Sequence, residues 1–302
     1  MDKESSFISA VVYLHNCAAD VSSFFEELNK SLDEHFTYYE LIAVDDSCTD
    51  DTVRKLKAWA QKISKSISIL HMSLYHGLED AMNAGVDAAI GDYIFEFDST
   101  QMPYSMDLVF SAYMKAIEGN DIVCVCPTHA QRTSKLFYKV FNAYSRSIYE
   151  LRTDAFRIVT RRAINRVHAS NSYMPYRKAA YAASGLRMAY INFDGMIKNE
   201  QNKKLSLAID SLALYTNAAS RISIAITIFM MIVALLELIY TIAIYCSGHP
   251  IEGWTTMMLV MTFGFLGIFI SLSIVIRYLS LNLDMTFRKQ KYLIESIEKT
   301  QK

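Results

Sequence analysis

The chain has 302 residues, 52% of them hydrophobic, and a formal net charge of −1, a length that suits one sizeable domain plus something extra. Thirty basic residues against 31 acidic ones leave no global field for nucleic acid, so any anion site must be local. Only ten Gly and four Pro beside 12% aromatic residues exclude disordered, collagenous and low-complexity classes.

The elements alternate from the start. "FISAVVYL" at 7–14 is a short apolar strand, and Val21, Phe24, Phe25, Leu28 and Leu32 then recur at helical spacing. "YYELIAVDD" predicts a second strand ending in acids, and "SCTDDTVRKLKAWAQKI" opens a helix with polar caps, Ser47 and Thr49 among them. "ISILHMS" is a third strand, "LEDAMNAGVDAAIG" a small-residue helix and "DYIFEFD" a fourth strand. Strands that alternate with helices and bury both faces imply a mostly parallel sheet with right-handed crossovers. Ligands bind such sheets at the carboxyl ends of the strands. Asn16, Asp45, Asp46 and Asp98 all fall at those ends, more acids than helix capping requires.

Cys17, Cys48, Cys124, Cys126 and Cys246 form no CxxC pair, and a strand would point Cys124 and Cys126 the same way. They read as reduced structural thiols of a cytosolic domain. The acidic start lacks a long apolar core, so no secretory signal peptide is expected there.

Hydrophobicity concentrates further on. Residues 222–246 and 254–276 are apolar runs long enough to cross a bilayer, broken by Glu237 and joined by "SGHPIEG". Lys203, Lys204 and Arg221 before the first run, and Arg277, Arg288, Lys289 and Lys291 after the second, place both termini in the cytoplasm. Glu237 is expected at a helix-packing contact between subunits. Residues 201–221 and 282–302 carry charge and apolar residues at helical spacing, which predicts amphipathic helices at the membrane surface. The expected division is therefore 1–200, a cytosolic domain; 201–221, a juxtamembrane helix; 222–281, a two-helix hairpin; and 282–302, a cytoplasmic amphipathic helix.

"VVYLHN", "AVDDSCTDDT", "YHGLEDAMNAGVDAAIGDYIFEFDS", "SKLFYKVFNAYS", "DAFRIVTRRAI" and "GWTTMMLVMTFGFLGIFISLSIVIRYL" together resemble family-2 glycosyltransferases. More narrowly, they resemble the membrane-anchored polyprenyl-phosphate group, which includes dolichyl-phosphate mannose synthase and bacterial undecaprenyl-phosphate sugar transferases. The resemblance implies an α/β, GT-A (Rossmann-like), mostly parallel sheet domain followed by amphipathic interface helices and two transmembrane helices. It implies a nucleotide-sugar held by Tyr13, Asn16, Asp45, Asp46, Asp98 and Ser99. It also implies Mg2+ or Mn2+ on Asp98 and, weakly, Thr100, and catalytic roles for Asp98 and Arg157. The acceptor phosphate would meet Arg157, Lys203 and Lys204. An inner-membrane homo-oligomer follows too, a tetramer by the resemblance, with a polyprenyl phosphate as lipid partner.

Some positions depart from the family pattern. Thr100 stands where D-x-D has its second acid, Cys17 where a glutamate follows the asparagine, and Tyr13 where proline is usual. Glu96 precedes Asp98 within the strand and is not expected to replace the missing acid. Two functions follow. One is inverting transfer of a sugar to polyprenyl phosphate on the cytoplasmic face. The alternative is a catalytically silent relative that scaffolds or regulates a partner transferase.

Overall fold

The computed structural model describes residues 3–62, 66–129, 138–139, 141–143, 149–170, 176–196 and 292–300, with scattered helical positions between 226 and 282. Two compact units divide the chain: Met1–Leu207 with Arg288–Lys302, and Ala208–Phe287.

The first unit follows the expected alternation: β1 (Glu4–Leu14), α1 (Val21–His35), β2 (Phe36–Asp45), α2 (Thr52–Ala60), β3 (Ile67–Met72), α3 (Leu78–Ala88), β4 (Tyr93–Phe97) and α4 (Asp107–Ile117). It continues with β5 (Ile122–His129), β6 (Phe156–Thr160), α5 (Arg161–Ser170), α6 (Arg177–Ala183), β7 (Met188–Met196) and β8 (Ile294–Lys299). One sheet holds all eight strands in the order β7-β5-β6-β4-β1-β2-β3-β8. Pairs among β1–β4 and the β5–β7 pair are parallel, whereas β6 and β8 run antiparallel to their neighbours.

Helix α1 buries the stripe that its spacing predicts: Val21, Phe24, Phe25, Leu28 and Leu32 are all fully covered. Phe24 meets Phe97 of β4 edge-on at 5.4 Å, and Phe25 meets Trp59 of α2 at 5.5 Å. Each such side chain stabilises the fold by about 1.5–3 kcal/mol through burial. On the other side, small residues let α3 lie close to the sheet. A Cβ on Gly85 would stand 2.5 Å from methyls of both Val11 and Val44. Cys124 and Cys126 of β5 are buried and free, as expected, and burial raises both thiols, Cys126 to about 12.

Two expectations change. Residues 294–299 are a strand and not part of an amphipathic helix, paired antiparallel with β3 through Ser68–Lys299, Leu70–Ile297 and His71–Ser296. The open edge of β3 supplies backbone bonds that outweigh the helical side-chain pattern, because an unpaired edge is a ready template. Lys57 adds an ion pair to Glu298 at 2.6 Å. Helix α2 is not capped by Ser47 or Thr49: its preceding residue is Asp51, and the Thr52 amide donates to Asp50 Oδ1 at 3.0 Å.

No helix among the described residues is long and apolar enough to cross a membrane. The expected spans, the 201–221 helix, Lys203, Lys204 and Glu237 lie outside the described residues, apart from scattered positions. Those positions in the second unit are helical. Phe229, Ile232 and Leu236, and Met257, Met261, Ile268, Leu272, Val275 and Leu279, are 49–62% exposed.

Candidate functional site

The loops after β1 and β2 are knitted into one floor, and β4 ends beside them. Asn16, at φ 50°, accepts the Thr49 amide on its Oδ1 at 2.8 Å. The Cys17 amide donates to Thr52 Oγ1 at 2.8 Å, and burial raises the Cys17 thiol above its ordinary pKa. Asp45 accepts the Cys48 amide at 2.9 Å and faces His71 Nδ1 at 2.7 Å. Asp46 is wholly buried. It accepts from Tyr13 Oη at 2.9 Å and from the His76 and Gly77 amides at 2.8 Å each. Gly77 turns this loop at φ 89°, a conformation that side chains disfavour. Burial and the Asp46 charge both push the Tyr13 phenol well above its usual range.

Alternation along β4 puts Glu96 and Asp98 on one face. Beside them is a buried ionic cluster. Arg157 of β6 donates from Nη1 to Glu96 at 2.7 Å, from Nη2 to Asp98 Oδ2 at 2.5 Å and from Nε to Asp154 at 2.9 Å. Arg177, at the start of α6, donates from Nη1 to Glu96 at 2.6 Å, from Nη2 to Asp98 Oδ1 at 2.8 Å and from Nε to Glu79 at 3.0 Å. Tyr181 Oη donates to Glu96 Oε1 at 2.5 Å, and Lys178 pairs with Asp154. Arg157 and Arg177 are 1% and 0% exposed. Burial alone would raise the Asp98 and Asp154 carboxyls. The Arg157 and Lys178 charges, with Arg177 for Asp98, hold both below the carboxylate range instead. The same carboxylates raise Arg157, Arg177 and Lys178 against the opposing effect of burial.

The structure thus joins two predicted residues, Asp98 and Arg157, directly. Tyr13, Asn16, Asp45 and Asp46 spend their polar atoms chiefly on shaping the neighbouring loops, while Ser99 is exposed and accepts the Gln101 amide at 3.1 Å. Arg157, expected also to meet the acceptor phosphate, is 1% exposed and bonded to Glu96, Asp98 and Asp154. Sequence reasoning missed Glu79, Arg177, Lys178 and Tyr181. The available signal was "YRKAAYAAS", a pair of cations opening a helix whose other residues are small or aromatic and therefore core-facing.

The donor set at Asp98 does not suit a divalent cation. Hard cations want several carboxylate or carbonyl oxygens. Here both Asp98 oxygens are held by guanidinium groups, and Thr100 is neutral and 3% exposed. Among the described residues no three His, Cys, Asp or Glu side chains are placed to hold a metal. A cavity of about 10 Å³ beside the cluster is lined by Arg152, Asp154, Arg157, Lys178 and Tyr181. A larger cleft of about 780 Å³, lined by Lys139, Asn142, Arg152 and Asn192, shares its Glu150–Arg152 wall.

Known proteins share this architecture. The chain is 24% identical to the uncharacterized glycosyltransferase sll0501 of Synechocystis, covering 96% of this chain and 95% of that protein. It is 22% identical to the putative glycosyltransferase CsbB of Bacillus subtilis, covering 97% and 92%. Among solved structures, the Pyrobaculum calidifontis mannosyltransferase PcManGT, in complex with GDP-Man and Mn2+, superposes with a TM-score of 0.52 at 14% identity. The match covers 70% of this chain and 63% of that one. Glucosyl-3-phosphoglycerate synthase of Mycobacterium tuberculosis, in complex with Mn2+, UDP and phosphoglyceric acid, gives 0.52 at 16% identity, covering 69% and 76%. At such identities the solved structures speak for the fold alone. The family model of glycosyl transferase family 2 matches residues 9–185, which run from within β1 through β6 to the end of α6, and the chain belongs to that family.

Proposed function

We propose that this protein is a membrane-bound inverting glycosyltransferase that moves a sugar from a nucleotide-sugar to a polyprenyl phosphate at the cytoplasmic face. The observation that carries the reading is that the parallel strands β4, β1 and β2 end side by side, with the β1 and β2 loops knitted together and the Asp98–Arg157 pair at the end of β4. This is where an open α/β sheet binds its ligand. The names of the solved relatives, with GDP-Man in one and UDP in another, support a nucleotide-sugar donor.

The chemistry asks little of a protein base, because a phosphate acceptor is already ionised. One of its oxygens bonds to the anomeric carbon as the bond from that carbon to the nucleoside diphosphate breaks, and the diphosphate leaves with the electron pair. Arg152 and Lys139, in the 780 Å³ cleft, suit the acceptor phosphate better than the enclosed Arg157. Exposed apolar residues at helical spacing, Phe229, Ile232 and Leu236 in one run and Met261, Ile268, Leu272 and Val275 in the other, support a bilayer environment. Such stripes are costly in water.

The test incubates the detergent-solubilised full chain with labelled UDP- and GDP-sugars and undecaprenyl phosphate, followed by organic extraction. Label in the organic phase is expected. Its absence with every donor refutes the reading. One observation favours the silent-scaffold alternative, namely that both Asp98 oxygens are already paired. Co-purification with an active transferase, together with no turnover alone, would establish it.

A further inference from the structure

Resting on the donor reading above, we propose that Asp98 anchors two arginines in place of a cation, so that this chain takes its nucleotide without a divalent metal. Each Asp98 oxygen has its own guanidinium, Oδ1 with Arg177 at 2.8 Å and Oδ2 with Arg157 at 2.5 Å. Neither arginine can swing aside cheaply. Arg157 is also fixed by Asp154, Arg177 by Glu79, and both by Glu96, and both guanidinium groups are buried. A cation entering at Asp98 would have to displace both guanidinium groups and lie against their positive charge.

The surroundings fit the same conclusion. Cys17 and Thr100 are the two positions at which the family pattern would offer further acids. Here they are a thiol and a hydroxyl, both neutral, and burial raises the Cys17 thiol above its ordinary pKa. A hard cation would therefore meet one engaged carboxylate and two poor ligands. Positive charge is at hand without a metal from Arg152, which lines both the small cavity beside Arg157 and the cleft of about 780 Å³. Asp98 is in this sense a positioning residue, because it sets the plane and spacing of both guanidinium groups.

The test uses the detergent-solubilised full chain with Mn2+, UDP and GDP as probes. Free Mn2+ is followed by electron paramagnetic resonance, and nucleotide binding by calorimetry in EDTA or in Mn2+. The expected result is equal nucleotide affinity in both buffers and no Mn2+ that depends on Asp98. Asp98→Asn should weaken nucleotide binding equally in the two buffers, which a cation ligand would not do. The proposal is overturned by Mn2+ retained by the wild type and lost in Asp98→Asn, or by nucleotide binding that EDTA abolishes and Mn2+ restores. Should neither nucleotide bind in either buffer, the donor reading falls. The Mn2+ titration then still decides the role of Asp98: Asp98-dependent retention refutes the anchor, and none, or equal retention by both proteins, supports it.

Discussion

Replacing Arg177 by methionine removes a fully enclosed cation from three carboxylates, Glu79, Glu96 and Asp98, whose side chains are 10%, 0% and 15% exposed. Breaking a buried pair from one side costs about 3–5 kcal/mol, since the remaining charge stays enclosed without its partner. Glu96 keeps Arg157 and Tyr181, and Asp98 keeps Arg157, so the loss should fall near the lower end, about 3 kcal/mol. For a domain of this size that lowers Tm by about 6–12 °C. Thermal unfolding followed by tryptophan fluorescence reads it, with Trp59 of α2 in the first unit. The comparison variant is Lys115→Met, which breaks the exposed Lys115–Glu118 pair, 43% and 57% accessible. That pair is worth about 0.3–0.5 kcal/mol. If Arg177→Met loses no more Tm than Lys115→Met, the ionic cluster is not the mechanical centre of the site.

The cluster has a pH signature. Asp98 and Asp154 titrate below the ordinary 3.8, so their contribution is whole above about pH 4 and is lost as pH falls further. Lys178 titrates above 10.5, so its contribution persists until strongly alkaline pH. The stability gap between wild type and Arg177→Met, measured by denaturant titration, should hold from pH 5 to 9 and shrink below pH 4. A gap already closing at pH 6 contradicts the assignment. Gly85→Ala places a Cβ against Val11 and Val44 of two β-branched, stiff neighbours. Overpacking of about 1–3 kcal/mol outweighs a helix-propensity gain of about 1 kcal/mol, and chemical denaturation should show a net loss. Deleting residues 293–302 uncovers β3 and frees His76 from the Leu293 amide, 3.2 Å away; light scattering should report association of the truncated chain.

The sheet from β1 to β4 was legible because apolar runs end in polar loops, and α1 because its five apolar residues keep helical spacing. Arg157 was legible as the important cation, though its neighbours were not. Arg177 reaches Asp98 directly, and Glu79 and Asp154 join through the arginines, from segments far apart in sequence whose meeting no local period records. Glu96 was set aside as lying too early in its strand. The same alternation that puts it beside Asp98 makes it, like Asp98, an acid shared by both arginines. Strand β8 was misread because IESIEK has charge at helical spacing, while its conformation is decided by a vacant edge more than 200 residues earlier in the chain.

That last strand has a consequence for biosynthesis. The sheet is complete only when Ile294–Lys299 have left the ribosome, by which time the whole second unit has been made. Until then β3 presents a bare margin to every other nascent chain nearby. The Ile294–Lys299 segment acts as the closing stitch of a seam opened at residue 67, and substitutions that keep it from pairing should hinder maturation.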